Sequence, residues 1–199
     1  MATLKNLPRR AILTIHGRAT VVEKLGSGRF TTAWQVVGPK VKGQYDKVYL
    51  QVKKRDNSKE IMAHMQGNIH IPTLERVDFI GDDTLYVTQY YHPLKAQHKE
   101  AWKQYKILKN LIEKEWYSCV TRGANRIYKT NEGFACAAAC NSDLPTTLQN
   151  AIYELSDWCN AYEGYLIEIA VRNLAVDDNG TLILLDPCFN WTELYGPRN

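Results

Sequence analysis

The residues of this chain best suited to chemistry stand in the run NLAVDDNGTLILLDP, from Asn173 to Pro187. Asn179-Gly180 is a pair favoured in tight hairpins; used as a two-residue loop, it pairs Asp178 with Thr181, Val176 with Ile183 and Leu174 with Leu185. Continuing that register sets Asn173 opposite Asp186, an amide oxygen and a carboxylate about 5 Å apart at the backbone, at the open end of an apolar ribbon. Hard oxygen donors of this kind suit magnesium, which keeps waters and phosphate oxygens as its remaining ligands. The plainer alternative is that Asn and Asp-Pro simply terminate two strands.

A second candidate is LGSGRFTTAW at residues 25–34. Glycines at Gly26 and Gly28, flanking Ser27, let backbone N–H groups approach a phosphate without side-chain obstruction, and Phe30 can cap the turn. No Gly-Lys-Ser/Thr follows, so this is not a P-loop, and the next element reads as a strand, which argues against a dinucleotide fingerprint. A plain hairpin turn is the alternative.

These residues must be positioned by elements legible from the hydrophobic pattern. Between residues 10 and 55, short alternating bursts (AILTIHG, TVVEKLG, TAWQVVG, KVYLQVK) read as four strands of an antiparallel meander. NSKEIMAHMQG then reads as a short helix with apolar Ile61, Met62 and Met65, stopped at Gly67. Pro72 breaks the chain before LERVDFIG and TLYVTQYY, two strand-like runs joined by an Asp82-Asp83 turn. The expectation is an α+β protein whose small N-terminal lobe, residues 1–94, has five antiparallel strands and one helix. From Gln97 the period changes: Trp102, Tyr105, Leu108, Leu111, Ile112 and Trp116 mark a long amphipathic helix. Residues 121–143 read as loop, a second helix starts after Asp143 with Pro145 in its first turn, and the final hairpin closes a helical lobe, residues 95–199.

Composition bounds the rest. With 199 residues, 45% of them hydrophobic and 23% charged, the chain is neither disordered nor collagen-like. It has no apolar stretch of membrane-spanning length and no signal-peptide core, so a soluble, cytoplasmic protein with no membrane partner is expected. The five cysteines form no CxxC pair, so they read as reduced and mostly buried; Cys136 and Cys140 are the only two spaced to share a metal with an outside histidine. Charge is uneven: residues 1–60 hold 13 Lys and Arg against 4 Asp and Glu, and residues 61–199 hold 12 against 17. A basic N-terminal half can bind nucleic acid or phosphate, although no tight basic run interleaved with aromatics favours nucleic acid over a solvated surface.

Taken together, these features resemble the protein kinase fold. A glycine-rich turn between strands is followed by a strand carrying lysine (VYLQVKK), a helix with a glutamate (SKEIMAHM), two strands and helices. Glu168 then precedes Asn173 by five positions, and Asp186 follows thirteen later, the spacing of the kinase catalytic loop and metal-binding aspartate. Over residues 20–190 the chain is most similar to the early serine/threonine protein kinases of lytic podoviral bacteriophages. They share the LG-x-G-x-F-x-x-A-aromatic turn, an aromatic-Glu-Gly before the catalytic loop, and Asp-Pro in place of Asp-Phe-Gly.

The resemblance implies a transferase that uses ATP and magnesium on host proteins. Gly26, Ser27 and Gly28 would cover the phosphates, Lys53 would contact them with Glu60 as its partner, and Gln89 to Tyr91 would border the adenine. Asn173 and Asp186 would hold magnesium, and Glu168 would serve as catalytic base. Some positions depart from the pattern. The base is Glu rather than Asp, which shifts the carboxylate by about one bond, and about 1 Å can cost on the order of a hundredfold in rate. Gln51 and Lys53 share a strand face, so either Lys53 is the phosphate lysine with Gln51 beneath the adenine, or Gln51 fills the lysine position and the clamp has lost its charge. Position 31 is Thr where the third glycine is usual, and the 13 residues after Asp186 leave no room for an activation segment. Hence the second reading, a pseudokinase that binds and inhibits or recruits a host macromolecule. A small-molecule kinase would place a histidine ahead of the catalytic acid, and none stands there.

Overall fold

The computed structural model describes residues 10–15, 17–36, 47–54, 56–120, 127–162 and 164–195. The chain divides into two compact units, Met1–Asp56 with Thr73–Tyr90, and Asn57–Pro72 with Tyr91–Asn199.

The first unit is an antiparallel sheet of β1 (Arg10–Ile15), β2 (Arg18–Ser27), β3 (Thr31–Val36), β4 (Lys47–Val52), β5 (Glu75–Ile80) and β6 (Asp83–Gln89), in the order β1-β2-β3-β4-β6-β5. It has six strands, not the expected five. Ala11, Leu13 and Ile15 turn inward while Ile12 is 71% exposed, and Gly17, at φ +73°, makes the tight return into β2; all four bursts before residue 55 and both runs after Pro72 are strands. The edge strands β1 and β5 touch, curling the sheet around Leu13, Ile15, Val22, Trp34, Tyr49, Leu85 and Val87. The β5–β6 turn is Gly81-Asp82 rather than Asp82-Asp83, because Ile80 pairs with Asp83 and Gly81 supplies the positive φ of +61° that such a turn needs.

The second unit begins with α1 (Ser58–His64), whose Ile61 and Met62 are buried, with Met65 buried just beyond it. After β7 (His92–Pro93) come α2 (Lys99–Val120), α3 (Ile127–Ala139) and α4 (Thr146–Ala161), each packed on the next. Helix α3 occupies a segment expected to be loop. Its inward face is Thr130, Asn131, Phe134, Ala135 and Ala138, so two polar residues stand where apolar ones would reveal the helical period. Asn131 is fully buried and satisfied: its amide donates to Asn160 Oδ1 and the Tyr165 carbonyl and accepts from the Ile167 N–H.

Short strands β8 (Tyr165–Ile167), β9 (Leu174–Val176), β10 (Leu182–Leu184) and β11 (Cys188–Asn190) precede α5 (Trp191–Tyr195) and form two ladders, β10-β9-β7 and β11-β8. No helix among the described residues is long and apolar enough to cross a membrane. Of the cysteines, Cys136 and Cys140 are exposed and Cys159 and Cys188 are buried as free thiols; a hydrogen bond with Cys159 and burial push the Cys188 thiol well above its usual range. The Cys119 side chain lies outside the described residues.

Candidate functional site

The final hairpin has a register one residue away from the expected one. Leu182 pairs with Val176, Ile183 with Ala175 and Leu184 with Leu174, because the loop is the three residues Asp178-Asn179-Gly180. Asp177 explains the extra residue: its Oδ1 accepts from the N–H groups of Asn179 and Thr181, and Gly180 takes φ +81°. This is the three-residue hairpin with a left-handed third position. Continuing the observed register puts Asn173 opposite Leu185, and the Asn173 carbonyl accepts from both Leu185 N–H (2.9 Å) and Asp186 N–H (3.3 Å). Asn173 and Asp186 therefore remain neighbours through a forked backbone bond.

The second ladder brings in Glu168. β8 pairs with β11 through Ile167 and Cys188, and Glu168 N–H donates to the Pro187 carbonyl at 2.7 Å. A single 3-10 turn, Val171–Asn173, then carries the chain from Glu168 to Asn173. Two ladders thus clamp Glu168, Asn173 and Asp186 into one neighbourhood.

Each carboxylate there has its own cation. Arg172 donates to Glu168 Oε1 at 2.6 Å and Asn173 Nδ2 donates to Glu168 Oε2 at 2.9 Å. Lys59, from the first turn of α1, donates to Asp186 Oδ1 at 2.6 Å and to the Leu185 carbonyl at 2.9 Å, with the Met62 sulfur 3.7 Å away. The two pairs differ in setting: the Lys59 side chain is 3% exposed and Asp186 45%, whereas Arg172 is 71% exposed and Glu168 33%. Among the described residues no hydrogen bond is taken by Asp186 Oδ2 or Asn173 Oδ1.

Those two oxygens fit a hard cation in donor chemistry, and the nearby Lys59 and Arg172 fit an anionic ligand. No three of His, Cys, Asp and Glu gather as a metal cage among the described residues, Cys136 and Cys140 included. Lys59 is the residue that sequence reasoning missed. Its signal was a lysine three positions before Met62, on the buried side of a short helix, next to the acidic Glu60 that drew attention instead.

The other expected site residues lie as follows. Glu60 is exposed in α1, and Tyr91 is buried against Ala175, Ile183 and Leu185 in the second unit. In the first unit Lys53 is exposed just past β4, and Gln89 is exposed at the end of β6. Gln51 sits on the Tyr49 side of β4, where its amide accepts from Trp34 Nε1 at 3.3 Å and donates to Asp83 Oδ2 at 2.8 Å. Ser27 pairs with Thr32, and Gly28 N–H donates to the Thr31 carbonyl at 2.8 Å, closing the β2–β3 turn. Gly26 and Gly28 have no positive φ, and a Cβ on Gly26 would meet nothing within 4 Å, so the turn's own geometry does not require glycine there.

Comparison of the sequence with models of known protein families and with curated proteins gives no match.

Proposed function

We propose that this chain is an ATP- and magnesium-dependent phosphotransferase, a serine/threonine protein kinase of the bacteriophage type acting on host proteins. The observation that carries the reading is the clamp of Asn173 on Asp186, with the buried Lys59 ammonium on one carboxylate oxygen. Phosphoryl transfer asks a protein chiefly for positioned charge near a polyphosphate. Asp186 and Asn173 would hold magnesium, which supplies charge neutralisation at the phosphates. Glu168 would accept the substrate hydroxyl proton as that oxygen bonds to the γ-phosphorus and the bond to ADP breaks. The bare, unforced glycines Gly26 and Gly28 are compatible with close approach of a phosphate to their backbone.

One observation favours the second reading, a pseudokinase that binds a host macromolecule: both Glu168 oxygens are already engaged, by Arg172 and by Asn173. Incubation with ATP labelled at the γ-phosphate and proteins of a bacterial lysate separates the two. Phosphotransferase action predicts label on serine or threonine that is lost in Glu168→Gln and Asn173→Ala; a lysate left unlabelled by the wild-type protein contradicts it.

A further inference from the structure

Resting on the reading of Asp186 as a cation ligand, we infer that Lys59 is a positioning residue that makes cation binding conditional on an anionic ligand. Its ammonium holds one oxygen of Asp186 and offsets its charge, so that Asp186 takes a divalent cation only when a phosphate-bearing ligand brings it.

The argument begins with where the cation stands. A lysine side chain only 3% exposed has given up hydration, and a buried ion pair of this kind is a poor source of stability compared with apolar packing. Two of its three N–H donors go to oxygens, Asp186 Oδ1 and the Leu185 carbonyl, and the third faces only a thioether. The pair is therefore built around Asp186 rather than around the helix that carries it. Lys59 fixes the carboxylate by Oδ1, and its second oxygen is on the half-exposed side chain that solvent reaches.

Charge completes the argument. Asp186 is offset by Lys59 and Glu168 by Arg172, so the four ionised groups sum to no formal charge. Oxygen donors without net negative charge give a bare divalent ion little reason to shed its water. A polyphosphate supplies the missing negative charge.

The test uses Mn²⁺ as the probe, with the ion retained by the protein measured by equilibrium dialysis, with and without the same concentration of ATP on both sides of the membrane. Wild-type protein is expected to bind Mn²⁺ with ATP present and not measurably without it. Lys59→Met, close in length and uncharged, is expected to gain about tenfold or more in affinity for Mn²⁺ alone, and Lys59→Met/Asp186→Asn to lose that gain. Arg172→Gln changes an exposed residue, so it should fold even if the buried variant does not; freeing Glu168, it is expected to raise Mn²⁺ affinity in the same direction. Unchanged or weaker Mn²⁺ binding in folded Lys59→Met, or in Arg172→Gln where Lys59→Met does not fold, or wild-type protein that binds Mn²⁺ equally with and without ATP, overturns the inference while leaving the phosphotransfer reading standing. No binding of Mn²⁺ with ATP by the wild-type protein overturns that reading and this inference with it.

Discussion

Each unit contains one polar network built on a side chain that sequence reasoning would place at a nucleotide, and the two are used differently. In the sheet, Gln51 joins Trp34 to Asp83 by neutral or singly charged hydrogen bonds on the face that carries the core. In the helical unit, Lys59 and Arg172 each neutralise a carboxylate, while Asp186 stays half exposed. The first arrangement consumes its donors and acceptors internally, which is what a structural bridge does. The second leaves the Asp186 side chain 45% exposed beside a buried cation, an arrangement that a ligand can still reach.

That contrast can be broken from either side. The largest effect is expected within the Lys59–Asp186 pair, and it should be lopsided. Asp186→Ala strands a buried ammonium and is expected to cost about 3–5 kcal/mol, whereas Lys59→Met leaves a carboxylate that water can reach and should cost about 1 kcal/mol or less. Urea unfolding of both variants measures this, and equal losses would mean that the pair is an ordinary structural bridge.

In the sheet, Gln51→Ala leaves the Trp34 N–H and the Asp83 carboxylate without their partner. It is expected to lower stability by about 1–3 kcal/mol and to leave ATP affinity unchanged. A folded Gln51→Ala protein with weakened ATP binding would erase the distinction between the two networks.

A smaller effect sharpens the account of the helical unit. The Leu182 carbonyl can only accept, so His70 carries its proton on Nδ1 and takes a hydrogen bond from the Thr147 hydroxyl at Nε2. Burial holds the His70 pKa below its usual 6.5, against the opposing pull of the Leu182 carbonyl and Asp177. The unfolded chain then takes up the second imidazole proton at a higher pH than the folded one. The His70 contribution is whole above about pH 6.5 and is lost as pH falls toward the folded-state value. Urea midpoints across that range should decline with acid in the wild-type protein and decline less in His70→Gln; parallel slopes would remove His70 from the account.

What was legible in the chain followed from how plainly burial was written. Strands with alternating burial, such as β6 with Leu85 and Val87 buried on either side of Tyr86, and helices with long apolar stripes, such as α2 and α4, could be read directly. Helix α3 was missed because Thr130 and Asn131 occupy its buried face, and the Asn131 amide is satisfied by tertiary partners that no local pattern reveals. The hairpin slipped by one residue because Asp177, not the Asn179-Gly180 pair alone, sets the loop. Asn173, Asp186 and Glu168 were found by spacing, and the backbone does bring them together. Lys59 was not found, since its role depends on a contact with Asp186 across 127 positions of chain.

The central claim is that the Asn173–Asp186 cluster binds a magnesium-bearing nucleotide, and thermal unfolding tests it most directly. The protein would be melted alone, with magnesium, and with ATP plus magnesium, beside Asp186→Asn, which keeps an oxygen for Lys59. A ligand bound only by the folded state adds about 2.7 kcal/mol at a hundredfold excess over its dissociation constant, a rise of several degrees for a chain of this length. The account predicts that rise with ATP plus magnesium, none with magnesium alone, and its loss in Asp186→Asn. Identical melting with and without ATP plus magnesium at millimolar concentration, or an undiminished rise in Asp186→Asn, would contradict it.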